Sequence, residues 1–346
     1  MKNWRDYLLS EDAIIRDAIV VLENNQCSVI VDSEDHILGT ITDRDVRNVL
    51  LRQTPLDAFV SVAMNRNPTI LTYPLDPSDV GQMLGKVSFV QFPLVDSQQK
   101  VVGLHTNQEL QQVKFPNQVV LMAGGLGSRL SPLTDECPKP LLKVGHQPVL
   151  ETIIENFLDY GFHKFLISVN YQSEMIENYF QDGRKWGVSI DYLREKEASG
   201  TAGSLSLIAE SLEHPIIVMN GDLLTKLNFR NLLEFHEENE APITMCVREY
   251  DFQVPYGVVK LEGSYATALE EKPVHKFFVN AGVYVINPEV LTLIPKKQFH
   301  NMTDVMTPLM EQNKVASFPI HEYWIDIGKI EDFQQAHGEY ETVFGK

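Results

Sequence analysis

The stretch from Met122 to Leu142 reads MAGGLGSRLSPLTDECPKPLL. Met122 and Ala123 close an apolar run, and Gly124, Gly125 and Gly127 then let the backbone approach an anion closely and offer it N–H donors, with Ser128 beside them. Arg129 adds a forked guanidinium to the same loop, and Lys139 adds a point charge. Those residue types at that spacing are suited to holding phosphate. The loop is not a Walker A motif, because no Gly-Lys-Ser/Thr follows its glycines. It is not a complete dinucleotide fingerprint either, because Leu130 stands where the third glycine belongs. The 10 histidines show no metal-ligand spacing, and Cys27, Cys137 and Cys246 are too scattered for a disulfide framework or a zinc site.

A phosphate loop of this kind needs a strand before it and a helix after it. QVVLMA (118–123) is a short apolar run fit for a buried parallel strand. In PVLETIIENFLDYG, the residues Leu150, Ile153, Ile154, Phe157 and Leu158 fall at helical spacing, and Gly161 is placed to cap. FLISV, SEMIENYFQ, VSIDYL, GTAGSLSLIAE, PIIVMN, FRNLLEFHEEN and APITMCV continue the alternation. The pattern predicts an α/β domain over 117–346 with a mostly parallel, Rossmann-like sheet. Its ligands are expected beyond the C-terminal ends of the strands.

The first third of the chain is organised differently. VDSEDHILGTITDRDV (31–46) matches VDSQQKVVGLHTNQEL (95–110) at Val31/Val95, Asp32/Asp96, Ser33/Ser97, Gly39/Gly103 and Thr42/Thr106. Each copy reads as strand, polar turn, strand, then a helix opened by a capping threonine. A helical stretch precedes each copy, AIIRDAIVVLENN in the first and PSDVGQMLGK (77–86) in the second. Two such units bury their apolar faces against one another. Pro116 and the polar residues around it end the pattern, which places a domain boundary near 115.

The 346 residues are 44% apolar and 22% charged, which suits two globular domains. The net charge is −18: residues 1–117 hold 10 basic against 15 acidic side chains, and the remainder 19 against 32. Both parts repel a nucleic-acid backbone, so nucleic acid is not an expected partner. An anionic small substrate must then be held by local N–H groups, a few placed cations or a metal. No run is long and apolar enough to predict a membrane span, and the N-terminus carries acids where a leader needs apolar residues. The expectation is a cytoplasmic protein with reduced thiols.

The glycine-loop string resembles, without a gap, the signature of sugar-phosphate nucleotidyltransferases, Gly-Gly-x-Gly-x-Arg-Leu-x-Pro-Leu-Thr-x-x-x-Pro-Lys-Pro-Leu. NGDLL (220–224) is similar to that family's Gly-Asp motif, and YWIDIGKIEDF (323–333) to its Trp-x-Asp-x-Gly motif. The resemblance implies that Asp222 and Asp326 hold Mg²⁺, two hard oxygen ligands for a cation that also takes phosphate oxygens. It assigns Arg129 and the loop N–H groups to the β- and γ-phosphates and Lys139 to charge at the α-phosphate. EKP (271–273) and NAGVYV (280–285) resemble the sugar-phosphate segments, implying roles for Glu271, Lys272, Asn280 and, in PYGVV, Gly257. EKEASGTAG (195–203) resembles the base loop, with Ala198 and Ser199 in place of the usual Pro-Leu; it implies Glu195 as a guanine acceptor and nearby roles for Gly200 and Thr201.

Residues 5–112 resemble a tandem CBS module, carried by GTITDRDVR (39–47). The resemblance implies an adenine nucleotide gripped by Thr42 and Asp45, with Thr106 in the second copy, where Glu109 replaces the aspartate. It also implies a homo-oligomer, with 1–114 as the CBS pair. A CBS pair ahead of such a transferase is similar to the bacterial glucosamine-1-phosphate guanylyltransferases that feed legionaminic acid synthesis. That implies GTP and glucosamine 1-phosphate as substrates. The alternatives are a mannose- or other hexose-1-phosphate guanylyltransferase, a uridylyl- or thymidylyltransferase, or a silent nucleotide-sensing regulator.

Overall fold

The computed structural model describes residues 4–22, 25, 27–73, 91–106, 114–208, 212–296 and 298–345. The chain divides into two compact units, Met1–Phe115 and Pro116–Lys346. No helix among the described residues is long and apolar enough to cross a membrane.

The first unit holds two three-stranded sheets. β1 (Leu8–Ser10) runs parallel to β2 (Cys27–Val31), which pairs antiparallel with β3 (Ile37–Thr42). β4 (Leu71–Thr72), β5 (Gln91–Val95) and β6 (Val101–Thr106) repeat that order and direction. The sequence offset reappears in the register: Cys27 faces Thr42 and Gln91 faces Thr106, with bulges after Ile30 and after Leu94. In each β-turn the first aspartate accepts two backbone N–H groups. Asp32 Oδ1 takes those of Glu34 and His36 at 2.8 and 2.9 Å, and Asp96 Oδ1 those of Gln98 and Lys100 at 2.8 and 3.0 Å. The turns also bond each other, Ile37 N–H to the Gln99 carbonyl at 3.0 Å and Val101 N–H to the Asp35 carbonyl at 2.9 Å. The helix expected over 77–86, and the one expected after Thr106 with its Glu109, lie outside the described residues.

The second unit is built on a seven-stranded sheet. Its members are β7 (Phe115–Met122), β10 (Phe162–Val169), β11 (Ser189–Arg194), β12 (Ile216–Asn220), β14 (Ile243–Gln253), β17 (Val274–Ile286) and β18 (Val315–Ile320), in the order β11-β10-β7-β12-β17-β14-β18. Only β17 is antiparallel to both of its neighbours. Val119, Val120 and Leu121 on β7 and Ile216 to Met219 on β12 are fully buried, as interior parallel strands require. Short pairs complete the unit: β8 (Lys143–Val144) with β9 (Gln147–Pro148), β13 (Leu223–Thr225) with β19 (Trp324–Asp326), and β15 (Val258–Glu262) with β16 (Tyr265–Glu270).

The helix Val149–Asp159 follows the glycine loop, as its apolar spacing requires, and Gly161 ends it with a bond to the Leu158 carbonyl. It packs Phe157 flat on Phe229, with centroids 3.6 Å apart. The helix expected over GTAGSLSLIAE is shorter than its pattern suggests. It makes one turn over Gly200–Gly203 and continues as a 3₁₀ turn over Ser204–Leu207.

One buried polar contact makes stability sensitive to pH. His236, on the helix Phe229–Asn239, meets Thr244 Oγ1 through Nδ1 at 2.8 Å and Asn287 Oδ1 through Nε2 at 3.0 Å. The neutral ring satisfies both partners, donating to Asn287 and accepting from Thr244. Burial, the largest influence, holds its pKa below the ordinary histidine range. The unfolded chain therefore takes the proton first, and stability is full above about pH 6.5 and falls as pH drops through that value toward the folded pKa. Calorimetry from pH 7 to pH 5 should show a falling unfolding temperature for this unit. His236→Gln should flatten the fall; an unchanged slope removes His236 as its source.

Candidate functional site

β7 and β12 lie side by side at the centre of the sheet, with Met122 paired to Asn220 at their C-terminal ends. The glycine loop leaves β7 there, and Gly221–Asp222 leaves β12, so the two motifs start from neighbouring points although 98 residues separate them in sequence. Gly221 N–H donates to the Met122 carbonyl at 2.9 Å, fixing the two exits to each other. This is where a parallel sheet gathers its ligands.

The loop is held in shape from within. Gly127 has φ +66°, a left-handed backbone, and a Cβ there would lie 2.9 Å from Thr134 Cγ2 and 3.2 Å from Lys139 Cβ. Thr134 Oγ1–H donates to the Gly127 carbonyl at 2.9 Å. Gly125 and Ser128 are exposed, and Arg129 is exposed on a 3₁₀ turn. Gly124 backs onto Glu195: a Cβ on it would stand 2.9 Å from Glu195 Oε1.

Lys139 Nζ is ion-paired with Asp222 Oδ2, joining the glycine loop to the β12 exit. The second aspartate arrives through the β13–β19 ladder. Leu223 faces Asp326, and Ile327 N–H donates to the Asp222 carbonyl at 3.1 Å. Bare backbone at Gly328 marks where the charges converge. A Cβ there would be 3.5 Å from Asp332 Oδ2, 3.7 Å from Arg129 Nη1 and 3.8 Å from Asp326 Oδ1. Burial, then the charge of Asp222, pushes the Asp326 carboxyl above the usual carboxylate range, while Lys139 and Arg129 pull the other way. Asp326 Oδ1 is buried with no hydrogen-bond partner among the described residues. An orphaned carboxylate oxygen beside a second carboxylate fits a divalent cation with hard oxygen ligands, so Asp222 and Asp326 are the pair that can hold Mg²⁺.

Other expected site residues are placed more by the fold than by a shared cluster. Glu195 uses both carboxylate oxygens internally: Ser168 Oγ–H donates to Oε1, and Ser199 N–H donates to Oε2 at 2.9 Å. Thr201 Oγ1 accepts from Met302 N–H at 2.9 Å, and a Cβ on Gly200 would lie 2.5 Å from the His300 carbonyl, so this segment is docked on the start of the helix Met302–Met310. Asn280 Nδ2–H donates to Tyr284 Oη at 2.7 Å, and its Oδ1 accepts from Gly282 N–H at 3.0 Å. Trp324 donates its indole N–H to the Ala281 carbonyl at 3.0 Å, tying β17 to the strand that carries Asp326. Glu271 and Lys272 are exposed at the foot of the β15–β16 hairpin, with Glu271 Oε2 close to Gly257. Among the described residues, neither hydrogen-bonds to the glycine loop.

In the first unit, Thr42 N–H and Oγ–H both donate to Asp45 Oδ2, at 2.9 and 2.7 Å, opening the helix Asp43–Leu51. Burial raises the Asp45 pKa. Thr106 ends β6.

Three positions that the sequence reading passed over belong to the site's frame. Ser168 anchors Glu195, Asn170 lies against Gly124, and Asp332 faces Gly328 beside Arg129. Only Asp332 had a local signal, an acid in the first turn of the helix after Trp-x-Asp-x-Gly.

Residues 118–343 match the family described as nucleotidyl transferase, and residues 4–52 match the CBS domain. A mannose-1-phosphate guanyltransferase of Pichia angusta is 35% identical over 223 residues, 62% of this chain and 61% of its own length. One of Saccharomyces cerevisiae is 33% identical over 225 residues, 62% of each chain. The chain thus spans less than two thirds of the length of these relatives. A crystal structure of HddC from Yersinia pseudotuberculosis shares the fold at a TM-score of 0.52 and 24% identity, over 65% of this chain and 99% of that one.

Proposed function

We propose, from the premise that the chain belongs to the nucleotidyl transferase family, that it transfers a guanylyl group from GTP to a hexose 1-phosphate, releasing pyrophosphate. The observation that carries this reading is the meeting of Lys139, Asp222 and Asp326 at the mouth of the glycine loop. The names of the relatives, mannose-1-phosphate guanyltransferases, favour mannose 1-phosphate as the acceptor and GTP as the donor. An HddC structure complexed with GMP-PN is in keeping with a guanine nucleotide on this fold. Glucosamine 1-phosphate and a legionaminic acid role rest on the sequence resemblance.

In the reaction, a phosphate oxygen of the sugar phosphate attacks the α-phosphorus of GTP. A new P–O bond forms as the bond from the α-phosphorus to the bridging oxygen breaks, and the electron pair leaves on pyrophosphate. A phosphate monoester is mostly dianionic at neutral pH, its second pKa being about 6, so no general base is required. What the protein supplies is position and charge. The N–H groups of Gly124, Gly125 and Gly127, with Arg129, take the phosphates that leave. Lys139 takes the charge that grows at the α-phosphate, swinging from Asp222. Lys272 holds the sugar's phosphate, Glu271 a sugar hydroxyl, and Asn280 and Gly257 line the same side. Glu195, Gly200 and Thr201 border the base. Mg²⁺ held by Asp222 and Asp326 would offset phosphate charge. In this reading residues 117–346 are the transferase, and residues 1–114 are a regulatory CBS pair that takes an adenine nucleotide at Thr42, Asp45 and Thr106.

The test is pyrophosphate release by the purified protein with Mg²⁺, crossing five nucleoside triphosphates with mannose-, glucose-, glucosamine- and N-acetylglucosamine 1-phosphate. A dominant signal with GTP and mannose 1-phosphate supports the proposal. A dominant signal with GTP and glucosamine 1-phosphate moves the acceptor to the hexosamine. Silence across the panel, repeated with AMP or ATP present, overturns the enzymatic reading.

A further inference from the structure

β14 and β17 outrun the sheet. Past Arg248, the last β14 residue paired with β18, they continue as a two-stranded ribbon; Arg248 lies opposite Val279, Tyr250 opposite Phe277 and Phe252 opposite His275. Side chains alternate along a strand, so those six positions share one face of the ribbon. The other face carries Glu249, Asp251 and Lys276, with Lys276 Nζ bonded to Glu249 at 2.7 Å. Asn280 is on that charged face, opposite Val247. The candidate sugar-side residue and the carboxylates therefore lie on one side, together with Phe278 and Val274, and the other side carries Tyr250, Phe252 and Phe277 without a carboxylate.

The aromatic face is open. Tyr250, Phe252 and Phe277 are 54%, 52% and 54% exposed. The β15–β16 hairpin, which lies between β14 and β17 in the chain, has an exposed apolar face of its own. Val259 pairs with Leu269 and shares its face with Leu261, and both leucines are 70% exposed. An aromatic side chain buries 150–250 Å² when covered, so these residues together offer roughly 600 Å² of apolar area. That is at the upper end of what a monomer's surface leaves open, and with a polar rim it approaches the ~800 Å² per partner of a standard interface.

We propose that the carboxylate-free face of this ribbon is where two copies of the chain meet. Charge selects the occupant. At net −18, two copies repel each other over most of their surface. A face whose only charged side chain is Arg248, itself turned back onto the Ile320 and Glu322 carbonyls at 3.2 and 2.8 Å, is where close approach opposes no carboxylate to another. Both strands put an aromatic ring at the centre, Tyr250 and Phe277, so the patch is complementary to itself, as a two-fold interface requires. Asn280 points to the opposite face, which leaves the proposed sugar side open in the dimer.

The experiment is sedimentation equilibrium on the full chain at micromolar concentration. The wild type is compared with Phe252→Glu/Phe277→Glu and with Asp251→Asn on the opposite face. The wild type should sediment at a multiple of the chain mass. The double variant should raise the dissociation constant of that step at least about tenfold, as loss of two central aromatics does, while Asp251→Asn leaves it unchanged. Near-ultraviolet circular dichroism tells association from unfolding, and a misfolded double variant is replaced by Tyr250→Glu alone. A monomeric wild type overturns the proposal, as does a double variant that associates as tightly as the wild type. Pyrophosphate release is measured separately, so failure here leaves the catalytic reading standing.

Discussion

Asp222→Asn should lower kcat/KM for nucleotidyl transfer at least about a thousandfold, the scale on which one preorganised charge acts in an active site. The substitution keeps the size of the side chain and removes its charge. The Lys139 ammonium then loses its counter-ion, and Asp326 is left as the single acid where two are needed. The fold should survive, because the bond that closes the neighbouring ladder is made by the Asp222 backbone: Ile327 N–H donates to its carbonyl, and the side chain takes no part. Kinetics and circular dichroism on the same preparation test both halves. A loss below about tenfold with an intact fold would sink the assignment of Asp222 to the reacting phosphates.

A second large effect is expected at Gly127, through geometry. Alanine there must take a left-handed backbone, at a cost of about 1–2 kcal/mol, and its methyl would press on Thr134 Cγ2 and Lys139 Cβ. The loop can yield only by displacing Thr134 or Lys139, the cation that reaches Asp222. Gly127→Ala should therefore lower kcat/KM roughly a hundredfold, since small displacements of positioning groups are amplified in rate. Thr134→Ser in the same chain removes Cγ2 and retains the hydroxyl that bonds the Gly127 carbonyl. It should restore part of the activity. No restoration would mean that backbone strain, and not the contact with Thr134, sets the loss.

Legibility in the sequence followed distance along the chain. The glycine loop, Arg129 and Lys139 lie within one contiguous string, and the buried runs of β7 and β12 announce parallel strands by composition alone. The repeat in the first third was readable for the same reason, since matched residues 64 apart reappear as matched strand pairs. Contacts across the fold left no such trace. Nothing near Ser168 says that its hydroxyl will hold Glu195, and nothing near Asn170 says that it will lie against Gly124. The β14–β17 ribbon was hidden for a different reason. Its alternation of aromatic and charged residues is the pattern of a half-buried strand, whereas here both faces reach solvent. GTAGSLSLIAE reads as a helix, but its described residues make one α-helical turn and then a 3₁₀ turn, with Gly200 and Gly203 fitted closely against the 298–300 segment.

The exchange of bonds between the two turns of the first unit bears on how such a module can be divided. Each turn lends the other one donor and one acceptor, from Ile37 and Asp35 on one side and Val101 and Gln99 on the other. Neither half closes its own account of backbone groups, yet each presents the pattern that the other needs. A half-length fragment ending after β3 would therefore find its best partner in an identical fragment, with Ile37 of one bonding Asp35 of the next. The internal duplication is thus arranged like a covalently tethered dimer of two related halves, and its linker replaces the concentration dependence of two separate chains with a fixed local concentration.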